Sequence, residues 1–145
     1  MQAQVLAPAA VLVLWSLVML FWVGATRFPA MSKAGIDPSK GKPGGRGQNL
    51  EGVLPPEVNW KSHNYAHLME QPTLFYATLA IIAILGPTQS DVWFAWGYVG
   101  LRIVHSVYQS TVNRVPVRLM IFTLSTLCLI VLALHAAKLT LLGGL

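Results

Sequence analysis

Acidic residues are scarce: the 145-residue chain has only five Asp and Glu against ten Lys and Arg. Charged residues of both signs make up 10% of the chain, where an ordinary soluble domain carries about 25%. So little charge cannot cover a water-facing surface, which excludes a soluble globular fold. Cysteine is almost absent too. Cys128 stands alone in an apolar run, so an internal disulfide and a cysteine-based zinc site are excluded, and it reads as a small packing residue. The excess of basic residues does not point to nucleic acid. Arg27, Lys33, Lys40, Lys42, Arg46 and Lys61 lie in one polar segment beside apolar runs, the pattern of a loop held on the cytoplasmic side of a membrane.

What the chain has in abundance is apolar residues, 54% of the total. Val5 to Ala25 contains no charge and, at about 1.5 Å per residue, is long enough to cross a bilayer core. It lacks the basic start and short apolar run of a cleaved leader. Arg27 and Pro29 are expected to end it. Residues 28–56 hold five prolines and six glycines around K-G-K-P-G-G-R-G, a composition that reads as a mobile connector at the lipid headgroups. It lacks the G-x-x-x-x-G-K-[ST] order of a phosphate-binding loop. Three more helices follow. The expected layout is one membrane domain over 1–145, an all-α four-helix bundle with helices at about 5–26, 60–85, 91–111 and 116–138 and a 28–58 loop. Ser90 is expected to cap the third helix, Trp93, Trp96 and Tyr98 to form an interfacial belt, and Pro116 to open the fourth. His135 reads as interfacial and Lys138 as snorkelling. The loops after the first and third helices carry the basic residues, so both termini are expected outside and the 28–58 loop in the cytoplasm.

Against this apolar background the polar residues of the spans need a reason, because an ionisable group at bilayer depth is costly unless it faces a partner or ligand. His63, His67 and Glu70 share one face of the second helix, and Arg102, His105 and Gln109 one face of the third. Pro72 should kink the second helix beside this cluster. Glu70 lies about 11 Å from His63, and Arg102 about 13 Å from Thr111, at the standard rise. Matched depth on antiparallel helices predicts a Glu70 to Arg102 pair, with His67 level with His105. Arg114 and Arg118 then flank the start of the fourth helix, whose free N-H groups favour an anion. One carboxylate cannot neutralise three arginines, so the cluster suggests an anionic ligand.

The segment R-I-V-H-S-V-Y-Q-S-T-V-N-R-V-P-V-R, with its R-x-x-H and R-x-P-x-R, closely resembles the inner-end segment of prostaglandin-forming members of the family of membrane-associated proteins in eicosanoid and glutathione metabolism (MAPEG). N-Y-A-H-L-M-E-Q-P-T-L-F is similar to the family's second-helix motif, R-x-x-x-N-x-x-E followed by proline. The likeness covers most of residues 58–137. It implies a homotrimer of four-helix subunits that binds glutathione between subunits and acts on lipophilic small molecules. Carried onto this chain, it implies that Glu70 holds the glutathione amino end, Arg102 braces the tripeptide, and Arg118 acts beside the thiol. His67, His105, Gln109 and Arg114 would line the same pocket. His67 replaces the motif asparagine, His63 its arginine, Gln109 a tyrosine, and Leu119 a serine implicated in prostaglandin synthesis, which speaks against prostaglandin isomerisation.

Three functional classes follow. The first is a glutathione-dependent transferase or peroxidase. A second is a non-catalytic trimer that binds lipid or another membrane subunit. The third is a metal site on His63, His67, Glu70 and His105, chemically acceptable to zinc or iron but opposed by the neighbouring arginines.

Overall fold

The computed structural model describes residues 1–143. Within them the chain forms α1 (Gln2–Lys33), α2 (Pro56–Leu68), α3 (Pro72–Leu85), α4 (Gln89–Thr111) and α5 (Val115–Leu141), with 3-10 turns at Pro38–Lys40 and Gly47–Leu50. Because α2 and α3 follow one path, the five helices make four passes. α1, the α2 and α3 pair, and α5 are long and apolar enough to cross a membrane.

α4 does not join that set because its inward face is polar. It packs against α1, α2 and α5, and Asp91, Arg102, His105, Ser106, Gln109 and Ser110 are all buried along it. Its outward residues are Trp93, Phe94, Trp96, Val104 and Val107. α1 differs in being largely apolar on both its buried and its exposed side. Val5, Leu12 and Met19 recur a heptad apart as the buried stripe of α1, while Leu14, Leu17, Val18 and Phe21 stay exposed. So much exposed apolar surface would drive aggregation in water, and it matches hydrocarbon.

α1 runs through both prolines to Lys33, past the stop expected at Arg27 and Pro29. Pro29 frees only the carbonyl one turn back, close enough to the helix end for water to reach it. The second pass shows the opposite outcome. Pro72 does more than kink it: the helix stops at Leu68 and restarts with Pro72 in the first turn of α3. Over the break the bonds tighten to i+3, from Met69 N to Ala66 O at 3.0 Å through Leu74 N to Gln71 O at 2.9 Å.

Gln71, at this break, ties three passes together. Its Nε2 donates to Thr126 Oγ1 at 3.0 Å, and its Oε1 accepts from Tyr98 Oη at 3.1 Å. Tyr98 is therefore a core residue, stacked on Phe75 at 4.3 Å, and not part of the interfacial belt with Trp93 and Trp96. Gln71→Leu should lower stability by about 1 to 2 kcal/mol, since it strands the Tyr98 hydroxyl in the core. Thermal unfolding in detergent measures this, and an unchanged midpoint would show that the bridge contributes nothing.

The far turn is capped by Thr88 rather than Ser90. Asp91 Oδ2 accepts from Thr88 N and Oγ1, both at 2.7 Å, a reciprocal cap of the kind seen at helix starts. The other oxygen, Oδ1, lies 2.7 Å from His135 Nδ1. His135 is thus a partner of α4, joining the start of that helix to the end of α5.

Candidate functional site

At the opposite end of the bundle the chain turns from α4 to α5 through Asn113, which adopts φ 56°. That left-handed conformation is tolerated by asparagine more readily than by most residues. Its Oδ1 accepts from Arg118 Nη1 at 2.6 Å, so the turn holds Arg118 one helical turn into α5. Arg114 is the N-cap residue of α5 and is exposed.

Arg102 sits deeper, 0% exposed. Its Nη2 reaches His67 Nδ1 at 3.3 Å and His67 O at 3.4 Å, and its guanidinium carbon lies 5.6 Å from the Phe122 ring centre. Nε and Nη1 are buried with no hydrogen-bond partner. The His67 and His105 rings are 5.2 Å apart, and Phe122 stands 5.3 Å from His67. His67, His105, Arg118, Val115, Leu119 and Phe122 line a half-open cavity of about 190 Å³.

The expected pair of Glu70 and Arg102 does not form among the described residues. Glu70 falls in the break between α2 and α3, so its side chain leaves the α2 face and is 69% exposed, with Oε2 3.9 Å from His67 Nε2. Counting depth along an unbroken helix is what misplaced it. Gln109 is buried beside this region with Oε1 unpartnered, and so are Asn64 Oδ1 and Ser110 Oγ, although Asn64 Nδ2 donates to Ser106 Oγ at 2.7 Å. The structure therefore gathers His67, Arg102, His105 and Arg118 in one place, while Glu70 and Arg114 are exposed and outside the cavity lining. No group of three or more His, Cys, Asp or Glu side chains able to hold a metal occurs among the described residues.

A second cavity, about 390 Å³, was not legible from the sequence. It lies between the Gly-rich loop, α1 and α2, with Arg27, Gln48, Glu51, Asn59, Ser62 and His63 in its wall. The loop is docked there. His63 Nε2 lies 2.6 Å from Glu51 Oε1, Asn59 Nδ2 donates to Leu50 O at 3.4 Å, and Leu54 is buried. Gly47 lies so close to the Arg27 guanidinium that an added Cβ would come within 2.6 Å of Nη1. Only the alternating Gly and basic composition hinted at such a close approach.

Chemically, the first cavity offers two imidazoles, the Arg118 cation and the Phe122 ring, with no carboxylate in its lining, and Arg102 lies buried behind it against His67. That set favours an anion, or a group that becomes one. Neither a curated protein nor a solved structure matches the chain. The family model described as MAPEG family matches residues 5–138, and this all-α membrane bundle belongs to that family.

Proposed function

We propose that the protein is a membrane-bound glutathione-dependent transferase or peroxidase acting on lipophilic electrophiles. The observation that carries this reading is Arg102, fully buried with two guanidinium nitrogens unpartnered. A buried, half-satisfied guanidinium costs stability, and an anionic ligand would offset that cost. Family membership makes glutathione the first candidate.

In this reading Arg102 and His67 brace the tripeptide, His105, Gln109 and Arg114 line its site, and Glu70 takes its amino end. Arg118 acts as the catalytic cation by favouring the thiolate, which is the nucleophilic form. The thiolate attacks the electrophile and the leaving group departs with its electron pair. The cavity of about 190 Å³ is below the roughly 300 to 1,000 Å³ usual for small-molecule sites. A neighbouring subunit of a homotrimer would supply the missing wall, against which exposed Glu70 and Arg114 would close. Lipid-soluble substrates would enter sideways from the bilayer.

The 28–58 loop lies on the cytoplasmic side in this proposal, supported by its basic residues. One assay tests both claims, since glutathione does not cross membranes. Inverted vesicles given external glutathione should conjugate a lipophilic electrophile, and right-side-out vesicles should not. Equal rates would overturn the orientation, and no protein-dependent rate in either would overturn the enzymatic reading.

A further inference from the structure

The segment from the end of α1 to the second 3-10 turn has a charge pattern that the proposed catalytic site does not use. Lys33, Lys40, Lys42 and Arg46 are all exposed, and no ion pair involves any of them among the described residues. The one carboxylate in this stretch, Asp37, is exposed and hydrogen-bonded within its own loop. Its Oδ1 accepts from Ser39 Oγ at 2.7 Å and from Ser39 N at 3.0 Å. These bonds, the hydroxyl's first, hold its pKa below the usual carboxylate value. Asp37 therefore stays an anion that serves the turn and leaves the four cations without a partner.

Position decides what such a surface meets. α1 is long and apolar enough to cross the bilayer and ends at Lys33, so the loop begins at headgroup level. It cannot drift far from there, because Gly47 against Arg27, Glu51 against His63, and buried Leu54 fasten its second half to α1 and α2. Just before the loop, α1 carries an apolar groove of about 610 Å³ over Gly24, lined by Leu20, Phe21, Val23, Phe28 and Arg27. Phe21 and Phe28 are exposed along it. An apolar groove followed along the chain by a basic loop supplies the two halves of a phospholipid site. Residues 33–46 contain no aromatic side chain, which disfavours single-stranded nucleic acid, whose bases stack on such rings.

We propose that Lys33, Lys40, Lys42 and Arg46 form a docking surface for anionic phospholipid headgroups, with an acyl chain along the Gly24 groove of α1. The loop is then clamped at both faces, by the protein at Gly47 and Glu51 and by the bilayer at its cations. Each basic residue near an anionic surface gives about a fivefold preference for it. Screening by salt should weaken the attraction.

The test places a spin label at exposed position 43, using Pro43→Cys in a Cys128→Ala background, on full-length protein in lipid discs. Adding phosphatidylglycerol to phosphatidylcholine discs should immobilise the label, and raised salt should release it. Successive replacement of Lys33, Lys40, Lys42 and Arg46 by Gln should lower the immobilised-to-mobile ratio about fivefold per cation. Inorganic phosphate in pure phosphatidylcholine discs should leave the label mobile. The proposal is overturned if mobility is the same in both lipid compositions, if immobilisation survives all four replacements, or if phosphate or a single-stranded oligonucleotide reproduces it without anionic lipid. Normal assembly of the four-Gln variant, read as an unchanged elution volume in detergent, separates loss of lipid contact from misfolding.

Discussion

Arg102→Met is expected to stabilise the empty protein and abolish glutathione binding in the same molecule. Arg102 is fully buried, and only Nη2 has partners, both of them on His67 and both longer than 3.2 Å. A buried cation held this weakly is not a net stabiliser. Replacing buried charged groups with well-packed apolar side chains is often neutral or stabilising, by up to about 4 kcal/mol. Methionine would keep the contact with Phe122 and leave no orphaned donor. Binding should respond in the opposite sense, because the unpartnered Nε and Nη1 are the donors assigned to the ligand. Losing a charge-assisted pair costs about 2 to 5 kcal/mol, enough to push a weak tripeptide site beyond detection. Unfolding midpoints and titration of the same preparations check both halves. A variant that is less stable and still binds would show that Arg102 is a packing element.

Arg118→Ala is expected to produce a pH-dependent loss of conjugation rather than a uniform one. A thiol of ordinary pKa, about 8.5, is roughly 3% thiolate at pH 7, whereas a two-unit depression would make it about three-quarters thiolate. The thiolate fraction alone sets an upper bound of about 25-fold on the loss. A less basic thiolate is also intrinsically less nucleophilic, which lowers the expected loss to between roughly 3-fold and 25-fold. The sign follows directly. Removing the cation raises the thiol pKa, so the variant lags most below that pKa and catches up as pH rises through it. Arg118 also anchors the α4 to α5 turn through Asn113 at 2.6 Å, so Arg118→Lys is the control that keeps charge and loses the fork. A pH profile parallel to that of the parent protein would assign Arg118 to the turn alone.

The apolar runs and the helix-opening Pro116 were readable because each depends on a few neighbouring residues. That His67 and His105 lie level with each other also follows from helical rise, and their rings are 5.2 Å apart, whereas Arg102, expected level with Glu70, contacts His67 instead. Glu70 shows where that reasoning stops. Pro72 announced a disturbance, but periodicity cannot say whether a helix bends or restarts, and the difference moves a carboxylate from the interior to an exposed position. Asp91 and His135 lie equally far in sequence from Asn113, so their pairing was available to a depth count that treated both as ligands of one another. Taken alone, His135 reads only as an interfacial residue. The docking of Gly47 on Arg27 was illegible for another reason. It joins the loop to α1 through a contact whose only local sign is a missing side chain.

The central claim is that the His67, Arg102, His105 and Arg118 cluster is a site for an anionic thiol peptide. Calorimetric titration of purified, detergent-solubilised protein with glutathione tests it most directly, run in two buffers of different ionisation heat. The account predicts binding at millimolar concentration or tighter, with proton release as the thiol ionises, and loss of that heat in Arg102→Met. No binding heat at millimolar glutathione, from protein that is folded and assembled, would contradict it.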